Sequence, residues 1–418
     1  MSLHFKLPYG HEQYQEVTIE EAHFVGLLKH RETGSPMDEA GLRSALASPV
    51  GTLPLKELVK RGERIAIITS DITRPCPSRI LLPLLLEELE VAGVKKEDII
   101  IVLATGNHRT HTEAEKRSLV GEEVYATYRC LDSDPADTVY LGTTRRGTPI
   151  EIFRPVVEAD KWILLGNVEY HYFAGYSGGL KAIMPGCATP RSIQANHRMM
   201  VEEGATAGEI DNNPVRQDIE EVAEFLPVDF IFNVVLDEHK NILAAFTGHP
   251  ILARREAVRY LDSIYKVKIT APVDIVIASA GGFPKDINLY QAQKAIDNAS
   301  RAVRPGGILI LVAECPEGLG DEVFSRWVAE AKKPQDLIDR IGVNFELGGH
   351  KAAAIALVRQ RINIYLVSSL PPDTVRKAFL EPFTSLEEAY GRALEVIGPE
   401  AKVMVIPQGG SLLPVQVR

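Results

Sequence analysis

Short apolar runs that end in polar turns and are followed by helical stretches predict an α/β fold of two domains, each with a mostly parallel sheet flanked by helices. Three observations carry this. Ile65-Ala-Ile-Ile68, Asp98-Ile-Ile-Ile-Val-Leu103 and Trp162 to Leu165 are nearly all apolar, as strands of a sheet covered on both faces must be. The rhythm restarts after Ala271-Pro272, in Val273 to Ala280, Gly307 to Ala313 and Ile362 to Val367. The chain of 418 residues also exceeds what one hydrophobic core usually supports. The expected division is a first domain over residues 1–268 and a second over 272–407. Residues from about 408 to 418 would return to the first, with a ligand site in the cleft between domains.

Residues 1 to 60 read as an edge segment with polar turns. The first strand ends in Thr69-Ser-Asp71 and Thr73-Arg74-Pro75, ahead of a helix over Leu81 to Val91 with Pro83 near its first turn and Gly93 as its stop. The second strand ends in Ala104-Thr-Gly-Asn-His108, and the next helix has Thr112 as cap and Glu115 at the capping-box position. The third strand enters Gly166 to His197. There Tyr176-Ser177-Gly178-Gly179 strips the backbone of side chains just before Lys181, and glycine permits both positive φ and close approach of a ligand. Thr189-Pro190 reads as an N-cap and first helical residue, which puts His197 on a helix. Glu209 to Phe225 and Ile251 to Tyr265 read as helices, with a strand over Asp229 to Asp237 between them. In open α/β sheets ligands bind beyond the carboxyl ends of the strands, so Asp71, Arg74, His108 and His171 are expected on one rim. Tyr290, Gln291 and Lys294 follow a strand end in the second domain in the same way.

Composition excludes several classes of function. A formal net charge of −10 without a basic stripe disfavours nucleic acid. A small anionic substrate remains compatible, because one or two buried cations suffice to bind a carboxylate. No apolar run reaches the roughly 18 to 20 residues of a membrane span. The N-terminus lacks a secretory pattern, so a cytoplasmic protein is expected. Cys76, Cys130, Cys187 and Cys315 form no CxxC pair, which argues against a disulfide framework and a zinc ribbon. The residues alone leave three readings open. Asp71 and Thr73 could be helix caps, and His108 with His111 invites a metal. Tyr176 to Lys181 lacks Walker spacing. A zinc-dependent hydrolase or lyase using His108, His111 and His171 and a non-catalytic binding protein therefore stand beside an enzyme built on Lys181.

Asp71-x-x-Arg74-Pro, Thr105-Gly-Asn-His108-Arg, Glu169-x-His171-x-x-x-Gly-x-Ser-Gly-Gly-x-Lys181-x-x-x-Pro-Gly and Asn196-His197 together resemble the nickel-pincer lactate racemase family, over nearly the whole chain. The resemblance implies a racemase or epimerase of a 2-hydroxy acid. Its cofactor is the nickel-pincer nucleotide, a pyridinium-3-thioamide-5-thiocarboxylic acid mononucleotide that holds Ni(II). By the same resemblance Lys181 tethers the cofactor, His197 ligates the metal, and Ser177, Gly178 and Gly179 approach the cofactor or its phosphate. His108 and His171 match the acid/base pair. Arg74 and Lys294 would hold the substrate carboxylate with Tyr290 and Gln291, and Asp71, grouped with them, would orient a histidine or the arginine. Proteins that make the cofactor are implied as loading partners. The chain departs from lactate-specific members at Gly348-Gly-His350-Lys351, where a bulky aromatic is expected and Trp327 lies too early to replace it. That departure points to a larger or more polar substrate than lactate.

Overall fold

Strands Ile65–Ser70 and Ile99–Ala104 are buried at almost every position, which only a sheet covered on both faces allows. The computed structural model describes residues 1–417. It divides into Glu32–Ser263 and a second unit made of Met1–Arg31 with the chain from Ile264 onward. The first unit holds a six-stranded sheet in the order Ile242–Gly248, Phe230–Leu236, Lys161–Asn167, Ile65–Ser70, Ile99–Ala104, Arg129–Asp132. All neighbours are parallel except the first pair.

The covering helices follow from local chemistry. Ser78–Val91 begins a turn earlier than the expected Leu81, so Pro83 lies inside it, and Leu81, Leu82, Leu84, Leu85, Leu86 and Leu89 are buried. Thr112 forms the capping box: its hydroxyl accepts from Glu115 N–H at 3.3 Å, and its own N–H donates to the Glu115 carboxylate at 2.8 Å. The helix expected from Glu209 starts only at Pro214, after the Asn213 cap, because proline has no N–H and fits the first turn. A hairpin of Thr138–Thr143 and Pro149–Phe153 was not expected. Its strands are short and only partly buried, so they carry little apolar signal.

The second unit has an all-parallel sheet in the order Glu381–Phe383, Asn363–Val367, Val303–Val312, Val273–Ser279, Val403–Ile406, Phe24–Leu27. This corrects the expected first boundary. Phe24–Leu27 pairs with Val403–Ile406, and the hairpin Ser2–Tyr9 with Gln13–Glu20 puts Leu7, Tyr9, Val17 and Ile19 into the same core as Ile275, Ile310 and Val405. A partner so far along the chain leaves no local trace. The terminal strand Leu413–Gln416 pairs with Lys266–Ile269, residues expected at the end of the first domain that lie in the second unit. Among the described residues no helix is long and apolar enough to cross a membrane.

Leu7→Ala and Ile19→Ala should each cost about 2 to 5 kcal/mol. Hydrogen exchange should quicken in Val403–Ile406 and Val273–Ser279 and stay unchanged in Ile65–Ser70 and Ile99–Ala104. The reverse pattern would return the first residues to the first unit.

Candidate active site

Adjacent parallel strands bring the turns after Ile65–Ser70 and Ile99–Ala104 to one end of the sheet. The second turn is tied down on several sides. His108 N–H donates to Thr105 carbonyl at 2.8 Å, Gly106 N–H to Gly186 carbonyl at 2.9 Å, and the Thr105 and Ser133 hydroxyls meet at 2.8 Å. His108 Nδ1 is in short contact with Asp71 Oδ2, while Thr73 Oγ1 donates to both Asp71 oxygens at 2.9 and 3.1 Å. Burial raises the Asp71 carboxyl, but bonds and charge from His108, the Thr73 hydroxyl and the Arg74 charge outweigh it and hold the group below the usual carboxylate range. A carboxylate at Nδ1 keeps the proton there and puts the basic lone pair on Nε2. Asp71 is thus a hydrogen-bond partner of His108. Arg74 is exposed, and its charge reaches Asp71, His171 and Lys181.

His111 has a different task. Its Nδ1 meets Asp132 at 2.6 Å and its Nε2 accepts from Ile72 N–H at 3.1 Å, so both ring nitrogens hold the turn that carries Asp71. No group of three or more His, Cys, Asp or Glu among the described residues is arranged to hold a metal. The zinc set His108, His111 and His171 therefore does not assemble.

His171 lies on the two-residue strand Tyr170–His171, paired with Gly175–Tyr176. Its Nδ1 accepts from Ala174 N–H at 3.2 Å, which places the ring proton on Nε2. His197 ends the helix Pro190–His197, capped by Thr189 with proline at the first position as expected. The Phe173 ring stands edge-on to both histidines, with centroids 4.6 Å from His171 and 4.9 Å from His197. Burial holds the His171 imidazole well below its ordinary value, reinforced by the charges of Lys181, Arg74, His197 and Arg216. The Lys181 amine is likewise held well below the usual lysine range, first by burial and then by Arg216 and Arg74, with Glu169 partly opposing and Arg254 adding to the effect. A lysine so shifted gives up its proton, and so becomes nucleophilic, more readily than a solvated one.

The glycines before Lys181 have a reason beyond ligand approach. A Cβ on Gly178, at φ +75°, would lie 2.8 Å from Asn233 Oδ1, and one on Gly179, at φ +60°, would lie 2.6 Å from Arg254 Cδ. The loop is pressed onto these side chains. Gly179 N–H donates to Asn233 Oδ1 at 2.9 Å, Ser177 N–H to Glu169 carbonyl at 2.9 Å, and Ser177 Oγ to Asn167 carbonyl at 2.8 Å. The expected offer of backbone N–H groups to a phosphate is narrowed, since those of Ser177 and Gly179 are engaged within the protein.

Tyr290, Gln291 and Lys294 lie on helix Leu289–Ala299 of the second unit, capped by Asn288. Gln291 and Lys294 are exposed and Tyr290 is half-buried. Lys351, only 6% exposed, sets its ammonium 4.0 Å from the Tyr290 ring centroid and in short contact with the Tyr290 carbonyl. His350 Nδ1 accepts from Gly348 N–H at 3.0 Å. Lys351 thus supports Tyr290 and its helix. Trp327 is near His350 and Lys351 despite its distance in sequence: a Cβ on Gly349 would lie 2.4 Å from its indole.

Two family models span most of the chain. The lactate racemase N-terminal domain matches residues 9–208 and the lactate racemase C-terminal domain residues 268–414. The lactate racemase of Thermoanaerobacterium thermosaccharolyticum is 36% identical over 98% of this chain and 98% of its own length. The chain belongs to the lactate racemase family. A second family member, the lactate racemase of Lactiplantibacillus plantarum, is 32% identical over 89% of this chain and 90% of its own. The lactate racemase apoprotein structure from T. thermosaccharolyticum has a TM-score of 0.89 at 33% identity, covering 99% of this chain and 100% of that one. A Thermotoga maritima protein shares the fold, with a TM-score of 0.63 at 19% identity over 93% of this chain and 100% of its own. As a family member the chain is an isomerase, a racemase.

Phe173, Arg216, Arg254 and Asn233 escaped the sequence reading. Three lie in segments without a local motif, and a phenylalanine among aromatic neighbours looks like core. For Lys181 the sign of the pH effect is definite. Its folded proton affinity is depressed, so from that value up to the ordinary 10.5 the unfolded chain binds the extra proton and stability rises with pH. Lys181→Met should therefore stabilise the apoprotein at neutral pH, with a gain that shrinks as pH approaches 10.5 in denaturant titrations. Asp71→Asn should lower kcat for racemisation by about 10² to 10⁴-fold, the usual worth of a positioned acid or base, with little change in melting temperature.

Proposed function

We propose that the chain racemises or epimerises a 2-hydroxy acid, lactate or a larger relative, by proton-coupled hydride exchange with a nickel-pincer nucleotide tethered at Lys181. The observation that carries this reading is Lys181 itself: a half-buried lysine whose amine is held well below the usual lysine range by burial and then by Arg216 and Arg74, beside His171, which shares the Phe173 ring with His197. An amine that gives up its proton readily suits a covalent tether, and one imidazole suits a metal whose other donors come from the cofactor. Sulfur and imidazole in a flat array favour Ni(II) over tetrahedral zinc. The residues present therefore fit the group. When bound, it would supply the acceptor and donor of the substrate's C2 hydride.

The chain's own residues do the remaining work. The resemblance assigns the substrate carboxylate to Arg74, whose fork geometry suits it, and to Lys294 with Tyr290 and Gln291 on the second unit's helix Leu289–Ala299. His108, oriented by Asp71, takes the hydroxyl proton of one enantiomer at Nε2. Loss of that proton and of the C2 hydride leaves a planar 2-oxo acid, which can turn to present its other face. His171 serves that face. It rests as a neutral imidazole with its proton on Nε2, a state that donates a hydrogen bond to the substrate oxygen. To act as base at Nε2 it must carry the proton on Nδ1, which breaks the bond from Ala174 N–H. Proteins that make and load the cofactor are the implied partners.

Protein co-produced with cofactor-making enzymes should carry an adduct on Lys181 by intact mass and peptide mapping. It should convert a single enantiomer of lactate, malate, 2-hydroxyglutarate, phenyllactate or an aldonate into a mixture by chiral chromatography. Lys181→Ala should lose adduct and turnover together. An unmodified Lys181 in protein that still racemises would sink the proposal.

A further inference from the structure

The hydrogen bonds around His197 run outward through residues with no role so far. His197 Nδ1 lies 2.9 Å from Asn196 Oδ1. The amide orientation of Asn196 is fixed by its other contacts, since its Nδ2 lies 2.7 Å from Asp218 Oδ2 and 3.1 Å from the Val215 carbonyl, both acceptors. Oδ1 must then be the acceptor toward His197, and the imidazole proton sits on Nδ1. Asp218 is fully buried and takes two further bonds, from Thr144 Oγ1 at 2.6 Å and Thr148 Oγ1 at 2.7 Å. Thr148 N–H also donates to Thr144 Oγ1 at 3.0 Å. These threonines form the turn of the hairpin that the sequence reading did not anticipate.

We propose that Asp218 and Asn196 are positioning residues for His197, holding its proton on Nδ1 so that Nε2 carries the lone pair offered to nickel. The chain of contacts starts at a carboxylate with three donors, and every side chain in it is buried: Asn196 and Asp218 at 0% exposure, Thr148 at 1%, Thr144 at 4% and His197 at 8%. Such a relay cannot reorient without stranding a polar group. An outer partner that sets the tautomer of a metal-ligating histidine also sets its orientation and basicity. The inference rests on the proposed nickel role of His197, but its tautomer claim stands on the apoprotein alone.

Two measurements test it. In ¹⁵N-labelled apoprotein, long-range ¹H–¹⁵N correlation should show His197 with a protonated Nδ1 and an unprotonated Nε2, and a proton on Nε2 would overturn the inference. In protein whose Lys181 adduct is verified by mass, Asn196→Leu should weaken nickel retention against a competing chelator by about 10 to 100-fold while leaving the adduct in place. The exchanged pair Asn196→Asp with Asp218→Asn keeps an acceptor at 196 and a donor at 218 but leaves one threonine hydroxyl without its carboxylate oxygen and the Val215 carbonyl without its donor, so it should restore retention in part. If Asn196→Leu does not fold, the exchanged pair and Thr148→Val carry the comparison, Thr148→Val giving a smaller loss. Unchanged nickel retention in Asn196→Leu or, where that variant fails, in Thr148→Val would overturn the positioning role. An absent adduct in the wild-type protein would instead overturn the cofactor reading and leave the tautomer result intact.

Discussion

Buried positive charge beneath a glycine loop is the constraint on which the first unit depends. Arg216 and Arg254 are 0% and 1% exposed, and Glu220 offsets the second through a 2.7 Å contact. Their other donors reach the loop's own carbonyls. Arg216 Nε donates to Ala174 at 3.3 Å and its Nη2 closely to Tyr176, and Arg254 Nε reaches Ser177 at 3.5 Å. Loop and arginines form one arrangement. Gly175 lacks a Cβ where one would lie 1.9 Å from the Glu209 carbonyl, and the same chain then delivers Lys181 to a place where burial and the nearby cations lower its affinity for a proton. Burying uncompensated charge is expensive, and that cost is what the lysine's shift expresses.

The histidines of this unit show how one side chain type is given several chemical states by its partners. A carboxylate and a hydroxyl orient His108, a backbone N–H orients His171, and a side-chain amide orients His197. His111, with both nitrogens occupied, has become structural. Proximity to Phe173 gives His171 and His197 a common apolar wall, which lowers local polarity without adding a competing donor. Reactivity here is set by the second atom each ring touches.

Much of this was legible because it is local. Near-continuous apolar runs marked the central strands, Thr112 with Glu115 marked a helix start, and Thr189-Pro190 marked the helix of His197. The turn positions of Asp71 and His108 followed from the rule that functional groups collect past strand ends. What escaped was non-local. Nothing near Phe24 indicates that it will pair beside Val403, and nothing near Asp218 shows that a hairpin turn and a helix end will meet on its carboxylate. His350 and Lys351 were read for their charge alone, and the structure adds that both are buried, Lys351 with its ammonium over the Tyr290 ring. Trp327 looked too distant because sequence separation was read as spatial separation.

The membership of Met1–Arg31 in the second unit bears on how the chain is made. During vectorial synthesis these residues leave the ribosome before Glu32–Ser263, while the strand that pairs with Phe24–Leu27 begins only at Val403. The apolar face of Ser2–Tyr9 and Gln13–Glu20 therefore has no sheet to cover it while the whole of Glu32–Ser263 is synthesised and can fold. Closing so long a span costs entropy and delays the contact. The second unit is completed after Glu32–Ser263, so the core that Leu7 and Ile19 share with Val405 closes late.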